Sequence, residues 1–217
     1  MKKQPIIIIN FKNYKQGNDV IALAQKIARA AQSPKIKIIL AVSSVDISLL
    51  TGKISLPIFG QHVDSFESGR HTGFILAAAL KKAGGDGTLL NHSEHPLSFD
   101  VLKETMCECK KNKLETAVFA KNLAEEQKIE TLQPDYLIYE PPALVGGNIS
   151  VTKSDGALLK KFVHTIRMPF LIGAGIRTAK DVEEAAHLGA GGIAVSSVIM
   201  QSRNPNKMLK ELIKGFE

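Results

Sequence analysis

The stretch Ile6-Ile7-Ile8-Ile9-Asn10-Phe11-Lys12 is a β-branched run that ends in polar residues. Four successive branched side chains with no polar alternation suit a strand buried on both faces, and Asn10 to Lys12 close it. Val20, Ile21, Leu23, Ala24, Ile27, Ala28 and Ala31 then recur at the spacing of one helical face and stop before Pro34. A doubly buried strand followed by an amphipathic helix is the building unit of a parallel sheet.

The same unit recurs along the chain. Further strands are expected at 36–42, 57–62, 88–91, 114–120, 135–140, 169–173 and 191–196, and helices at 72–83, 122–132 and 178–188. A short helical segment is expected at 46–50, and a helix carrying Phe99, Leu102 and Met106 follows the fourth strand. Leu158, Leu159, Phe162 and Val163 mark the helix after the sixth, and Met208, Leu209, Leu212, Ile213 and Phe216 the last. Asn122-x-x-Glu125 has the form of a capping box. Eight such units, with no inserted domain or long linker, predict an α/β protein: a single (β/α)8 barrel domain over residues 1–217. An open doubly wound sheet is the alternative. It calls for less buried edge strands, and no Gly-x-Gly-x-x-Gly follows the first strand.

A chain of 217 residues, 44% hydrophobic, can bury a barrel core. Its net charge of +7 admits nucleic acid, an anionic surface or a small anionic substrate. The lysines at 2–3, at 110, 111 and 113, and at 160–161 lie at helix ends or outer faces among acidic residues without interleaved aromatics, and Trp is absent, so neither a stacking platform for bases nor a nucleic acid partner is expected. No apolar run approaches the roughly 20 residues of a membrane span. Met1-Lys2-Lys3-Gln4-Pro5 leads into too short an apolar run for a signal peptide, so a cytoplasmic protein without a membrane partner is expected. Cys107 and Cys109, two apart on a helix, point to different faces and are expected as reduced thiols.

A parallel barrel brings every strand's C-terminal tip to one mouth. The tips carry Asn10 and Lys12, Gln61 and His62, Asn91 and His92, then Glu140. Leu137-Ile138-Tyr139-Glu140-Pro141-Pro142 sets a carboxylate where the sixth strand must stop, because the prolines cannot extend a ladder. Val145-Gly146-Gly147-Asn148 beyond it has the composition of a mobile flap. Gly173-Ala174-Gly175-Ile176 and Ser196-Ser197, at the last two tips, form a phosphate-binding pattern: glycines let backbone N–H groups approach an anion. An ammonium at Lys12, an imidazole at His92 and a carboxylate at Glu140 facing that phosphate suit proton transfer on a carbon beside a carbonyl. Neither metal nor organic cofactor is called for; His92 and His95 lack a third ligand at matching spacing.

Taken in order, Asn10-Phe-Lys12, Gly60-Gln-His-Val-Asp64, Gly69-Arg-His-Thr-Gly73, Asn91-His-Ser-Glu94, Tyr139-Glu-Pro-Pro142, Gly173-Ala-Gly-Ile176 and Ser196-Ser197 resemble the triosephosphate isomerase family, in its compact archaeal-type form. The resemblance covers the whole chain and implies a TIM barrel that interconverts dihydroxyacetone phosphate and D-glyceraldehyde 3-phosphate, a step of glycolysis and gluconeogenesis. It implies Glu140 as the base, His92 as a neutral electrophile beside a helix start at Ser93-Glu94, and Lys12 as the cation facing the enediolate. It further implies substrate contacts from Asn10, Lys12, Val145, Gly146, Gly175, Ser196 and Ser197, with Glu94 supporting Lys12. The 64–73 loop matches the family's subunit-bridging loop, which implies a homo-oligomer, a dimer or tetramer. The chain departs from the family pattern at Val198, in the flap, and at His95-Pro96, which shortens the helix after His92. Other readings of the same scaffold are an isomerase or epimerase of a larger sugar phosphate, and a phosphate-ligand sensor without turnover.

Overall fold

A computed structural model describes residues 4–31, 35–141, 165–166 and 168–217. Eight parallel strands close into a barrel in sequence order: β1 (Ile6–Asn10), β2 (Lys37–Val42), β3 (Ile58–Gly60), β4 (Gly87–Leu90), β5 (Glu115–Ala120), β6 (Tyr136–Tyr139), β7 (Phe170–Ile172) and β8 (Gly192–Val195). β8 pairs back onto β1, Gly192 opposite Ile6, and closes the ring. The described helices are α1 (Asn18–Ala30), α2 (Ile47–Leu50), α3 (Ala77–Lys82), α4 (Phe99–Lys111), α5 (Leu123–Glu130), α6 (Ala179–His187), α7 (Ser197–Met200) and α8 (Pro205–Lys214). The helix expected around 158–163 and the flap at 145–148 lie outside the described residues. None of the described helices is long and apolar enough to cross a membrane.

Strand alternation divides the apolar residues into two cores. Ile8, Ile39, Phe59, Leu89, Ala117, Phe119, Ile138, Leu171 and Ala194 fill the barrel interior. Ile7 and Ile9, Ile38 and Leu40, Leu137 and Tyr139 face outward into the larger core under the helices. That double burial is why the strands carry continuous apolar runs. The N-terminal end of the barrel is closed by a polar cluster: Lys37 Nζ donates to Tyr136 Oη at 2.6 Å and to Glu115 Oε2 at 3.1 Å, and Tyr136 donates to the same carboxylate oxygen at 2.7 Å. Closure itself needs a residue without a side chain at Gly192, where a Cβ would run into the Ile6 carbonyl.

Four local differences from expectation have physical causes. The helix expected from residue 72 begins at Ala77, because Asp64 pins the preceding loop. Its N–H donates to Ile75 O at 2.8 Å and its carboxylate accepts from Ile75 N at 2.7 Å. No helix starts at Ser93-Glu94: a turn closed by His95 N to His92 O (2.8 Å) is followed by Pro96, and α4 begins at Phe99 with Ser98 as its cap. At α5, Asn122 Oδ1 accepts from Glu125 N at 2.9 Å, but the Glu125 carboxylate turns to Lys121 N at 2.8 Å instead of completing the box. A complete capping box forms at α6 between Thr178 and Asp181. The eighth strand stops at Val195, and Ser197 opens the short helix α7, which the apolar run into 196 concealed. Cys107 is exposed and Cys109 buried, both as free thiols.

Candidate active site

Continuing the inward alternation two residues past the interior core reaches the barrel mouth. Ile8 leads to Asn10, Ile138 to Glu140, Leu171 to Gly173 and Ala194 to Ser196. These residues line a cavity of about 440 Å3, together with Lys12, His92, Glu94, Phe119, Gly175 and Ser197. The acid, the ammonium and the imidazole taken from three strand tips therefore share one space. Gly173 makes room for the acid, since a Cβ there would meet Ile138 Cγ2 at 2.8 Å and Glu140 Cβ at 3.1 Å.

Lys12 sits just beyond β1 with φ of 45°, a left-handed conformation that disfavours side-chain-bearing residues. Two side chains hold it there: Asn10 Oδ1 accepts from Lys12 N at 2.9 Å, and Gln61 Nε2 donates to Lys12 O at 2.9 Å. Its ammonium donates to Glu94 Oε1 at 2.7 Å, where the resemblance put that acid.

His92 is 7% exposed. Its Nδ1 accepts the backbone N–H of Glu94 at 3.0 Å, so Nδ1 carries no proton and Nε2 carries the only one. Burial pushes the imidazole down to about 4, and the Lys12 charge adds to the effect against a weaker pull from Glu94. A backbone amide in a tight turn thus takes the part expected of a helix start. The ring lies edge-to-face with Phe119, centroids 4.7 Å apart.

Glu140, also 7% exposed, is aligned by its own N–H on Ala120 O at 2.9 Å. Burial raises its carboxyl to about 7, while Lys12 and the Ser93 hydroxyl pull it down and Glu94 pushes it up. Ser93 Oγ donates to Glu140 Oε2 at 3.4 Å, and His92 Nε2 stands 3.5 Å from the same oxygen. An acid titrating near neutrality beside an imidazole that stays neutral at ordinary pH can take up and return a proton there.

Gly175, Ser196 and Ser197 line the cavity; Val145 and Gly146 lie outside the described residues. Sequence reasoning singled out neither Ser93, which touches the acid, nor Phe119, which touches the imidazole. Ser93 was legible as the neighbour of His92, whereas Phe119 reads only as a strand core residue. His95 stacks on His62 at 4.0 Å, and among the described residues no three His, Cys, Asp or Glu side chains form a metal-binding group.

A second cavity of about 600 Å3 shares Asn10, Lys12, His92 and Glu94 with the first and continues past Asn13, Ser43, Ser44, Gln61, His62 and His95. The loop at 64–76 folds on itself beside it. Phe66 stacks on His71 at 4.3 Å and meets Phe74 edge-on at 4.6 Å, leaving Phe74 half exposed.

The family model described as triosephosphate isomerase matches residues 5–214. The triosephosphate isomerase of Saccharolobus solfataricus is 36% identical over 217 residues, covering 97% of this chain and 96% of the relative. That of Methanocaldococcus jannaschii is 33% identical over 216 residues, covering 96% and 99%. A crystal structure of triosephosphate isomerase from Bartonella henselae superposes with a TM-score of 0.76 at 18% identity, over 97% of this chain and all of that one, and shows the same fold. With this match running almost from end to end, the chain belongs to the triosephosphate isomerase family.

Proposed function

We propose that the chain interconverts dihydroxyacetone phosphate and D-glyceraldehyde 3-phosphate, with Glu140 as base, His92 as electrophile and Lys12 as the electrostatic partner of the enediolate. One observation carries this reading: Glu140, His92 and Lys12 meet in one cavity, with His92 Nε2 3.5 Å from Glu140 Oε2. Glu140, as carboxylate, takes the proton from the carbon beside the carbonyl. The C–H electron pair forms the carbon–carbon double bond, and the carbonyl oxygen becomes an oxyanion. His92 Nε2–H donates to that oxygen and Lys12 balances its charge. The proton of the adjacent hydroxyl passes to that oxyanion, with His92 within reach of both oxygens, and as the deprotonated oxygen becomes the new carbonyl Glu140 returns its proton to the neighbouring carbon, giving the isomer. This division of labour is the one known for the family. What the present geometry adds is a reason for each protonation state: an amide on Nδ1 for His92, and desolvation for Glu140.

Glu140 must leave the Ser93 hydroxyl to reach a substrate carbon, and the 3.4 Å bond holding it there is weak enough to break. Asn10 orients Lys12 from below; Gly175, Ser196 and Ser197, with the flap residues Val145 and Gly146, take the phosphate. Water has to be kept from the enediolate, which would otherwise shed its phosphate. The 64–73 loop of one copy docks in the 600 Å3 groove of another, next to Lys12, and the enzyme works as a homo-oligomer in the cytoplasm. The aromatic stack at Phe66, His71 and Phe74 supports this docking, because the loop is already shaped before a partner arrives. An assay that couples dihydroxyacetone phosphate turnover to glyceraldehyde 3-phosphate oxidation tests the reaction. Binding without turnover would replace it with a sensor, and turnover only of larger sugar phosphates with a different isomerase. Sedimentation of Phe74→Asp tests the docking: an unchanged oligomer would refute it.

A further inference from the structure

We infer that Asn91 is the positioning residue of the catalytic imidazole: one side-chain amide clamps both ends of the loop that carries His92 and holds the strand whose aromatic ring supports it. This rests on the reading of His92 as the electrophile.

β4 ends at Leu90, opposite Val118 of β5. Asn91 leaves the strand line at once with φ of 58°, a conformation that among side-chain-bearing residues Asn adopts most readily. Its backbone turns away, and its side chain takes over the connection. Nδ2 donates to Phe119 O at 2.9 Å, one residue beyond the last position of β5 that pairs with β4, and to Glu125 Oε1 of α5 at 3.3 Å. Oδ1 accepts the N–H of Leu97 at 2.8 Å. The amide's two donors and its acceptor are thereby committed to three separate elements, and at 7% exposure water cannot replace them.

Between the clamped ends, Asn91 and Leu97, lie His92, Ser93 and Glu94. The same short loop therefore presents the imidazole, the hydroxyl on Glu140 and the carboxylate on Lys12. It also presents the Glu94 N–H that decides which nitrogen of His92 is protonated. Phe119, held by its carbonyl, sets its ring against the imidazole from the other side. Glycine would tolerate the backbone angle but supply no bonds. Aspartate would keep the Leu97 bond but face the Phe119 carbonyl and Glu125 with an acceptor. Loosening the loop frees the Glu94 N–H from Nδ1, so the proton no longer stays on Nε2 and the donor no longer points at one place. Misplacement by about 1 Å costs on the order of 100-fold in rate. The phosphate is gripped from β7 and β8, on the other rim, so substrate capture should change little.

The experiment compares Asn91→Gly and Asn91→Asp with the parent enzyme as the folded oligomer. It reads kcat and KM with triose phosphate, and the ring 15N resonances of His92, assigned by their loss in His92→Gln. Each variant should lose roughly 10- to 100-fold in kcat with KM within about twofold. The pyridine-like Nδ1 and pyrrole-like Nε2 signals of His92 should move toward each other as the tautomers mix. A residue that merely shapes the turn would lower thermal stability and leave those signals in place. Either variant folding with kcat within about twofold of the parent and unmoved 15N signals would overturn the inference. Turnover unaffected in His92→Gln would instead remove the electrophile reading beneath it, so the two failures are distinct. Should the glycine variant not fold, the aspartate variant, which keeps the Leu97 bond, decides alone.

Discussion

Replacing Glu140 with glutamine should make the protein more stable and inactive at the same time, with the size of the stabilisation set by pH. Burial takes the Glu140 carboxyl from its ordinary value near 4.5 to about 7. A rise of that size corresponds to about 3 kcal/mol of extra proton affinity in the folded state. The folded protein thus holds this proton more tightly than the unfolded chain does. The contribution to stability is fully present below about pH 4.5 and is lost as pH climbs through about 7. The neutral amide of Glu140→Gln carries no such penalty and keeps an oxygen for the Ser93 hydroxyl. The stability difference between variant and parent should therefore widen by about 2 to 3 kcal/mol between about pH 5 and about pH 8, the variant being the more stable at the higher pH. Urea unfolding at both pH values, at one fixed protomer concentration because assembly adds to stability, measures it. A stability difference that stays constant across that range would refute the desolvation of Glu140. Turnover should fall by at least about 100-fold with the general base gone.

Further outcomes follow from the same geometry. In the parent enzyme kcat/KM should drop about tenfold per pH unit below about 7 as Glu140 gains its proton. The substrate phosphate titrates near pH 6, so a parallel limb in kcat identifies the carboxyl, and a limb at an ordinary carboxylate position refutes it. Lys12→Met should lose at least about 100-fold in turnover. Because the ammonium holds both neighbours down, the titrations of Glu140 and His92 should both move up on its removal, which NMR reads directly. Gly192→Ala should cost several kcal/mol, on the order of 3 or more, since the new Cβ runs into the Ile6 carbonyl at the β8–β1 seam; thermal unfolding measures it. A thiol reagent should modify Cys107 in the native protein and reach Cys109 only on unfolding, because burial removes access and pushes that thiol up to about 12.

Much of this protein is local in origin and so was legible in the order of its residues. Ile6 to Ile9 carry no polar alternation because both faces of a barrel strand are buried, one inside the ring and one under the helices. Each unit states its own strand and helix, and a closed parallel barrel is the arrangement in which eight such units leave no edge. Lys12, His92 and Glu140 were identifiable because each follows an apolar run whose end marks the mouth. Tertiary structure alone decided what these groups are chemically. That an amide two residues on bonds Nδ1 in place of a helix end depends on a turn stopped by Pro96 and clamped by Asn91, and the clamp is itself anchored on Phe119 and Glu125, far off in the sequence. Nothing adjoining Glu140 in the sequence gives its proton affinity, which arises from its burial beside Ser93 and the imidazole of another strand tip. The sequence by itself determined where the chain runs and which groups reach the mouth, because strand period and turn chemistry act between neighbours. The surroundings of the Glu140 carboxyl and the anchoring of Lys12 and of the His92 turn were decided only by packing, because they rest on contacts among residues dozens of positions apart.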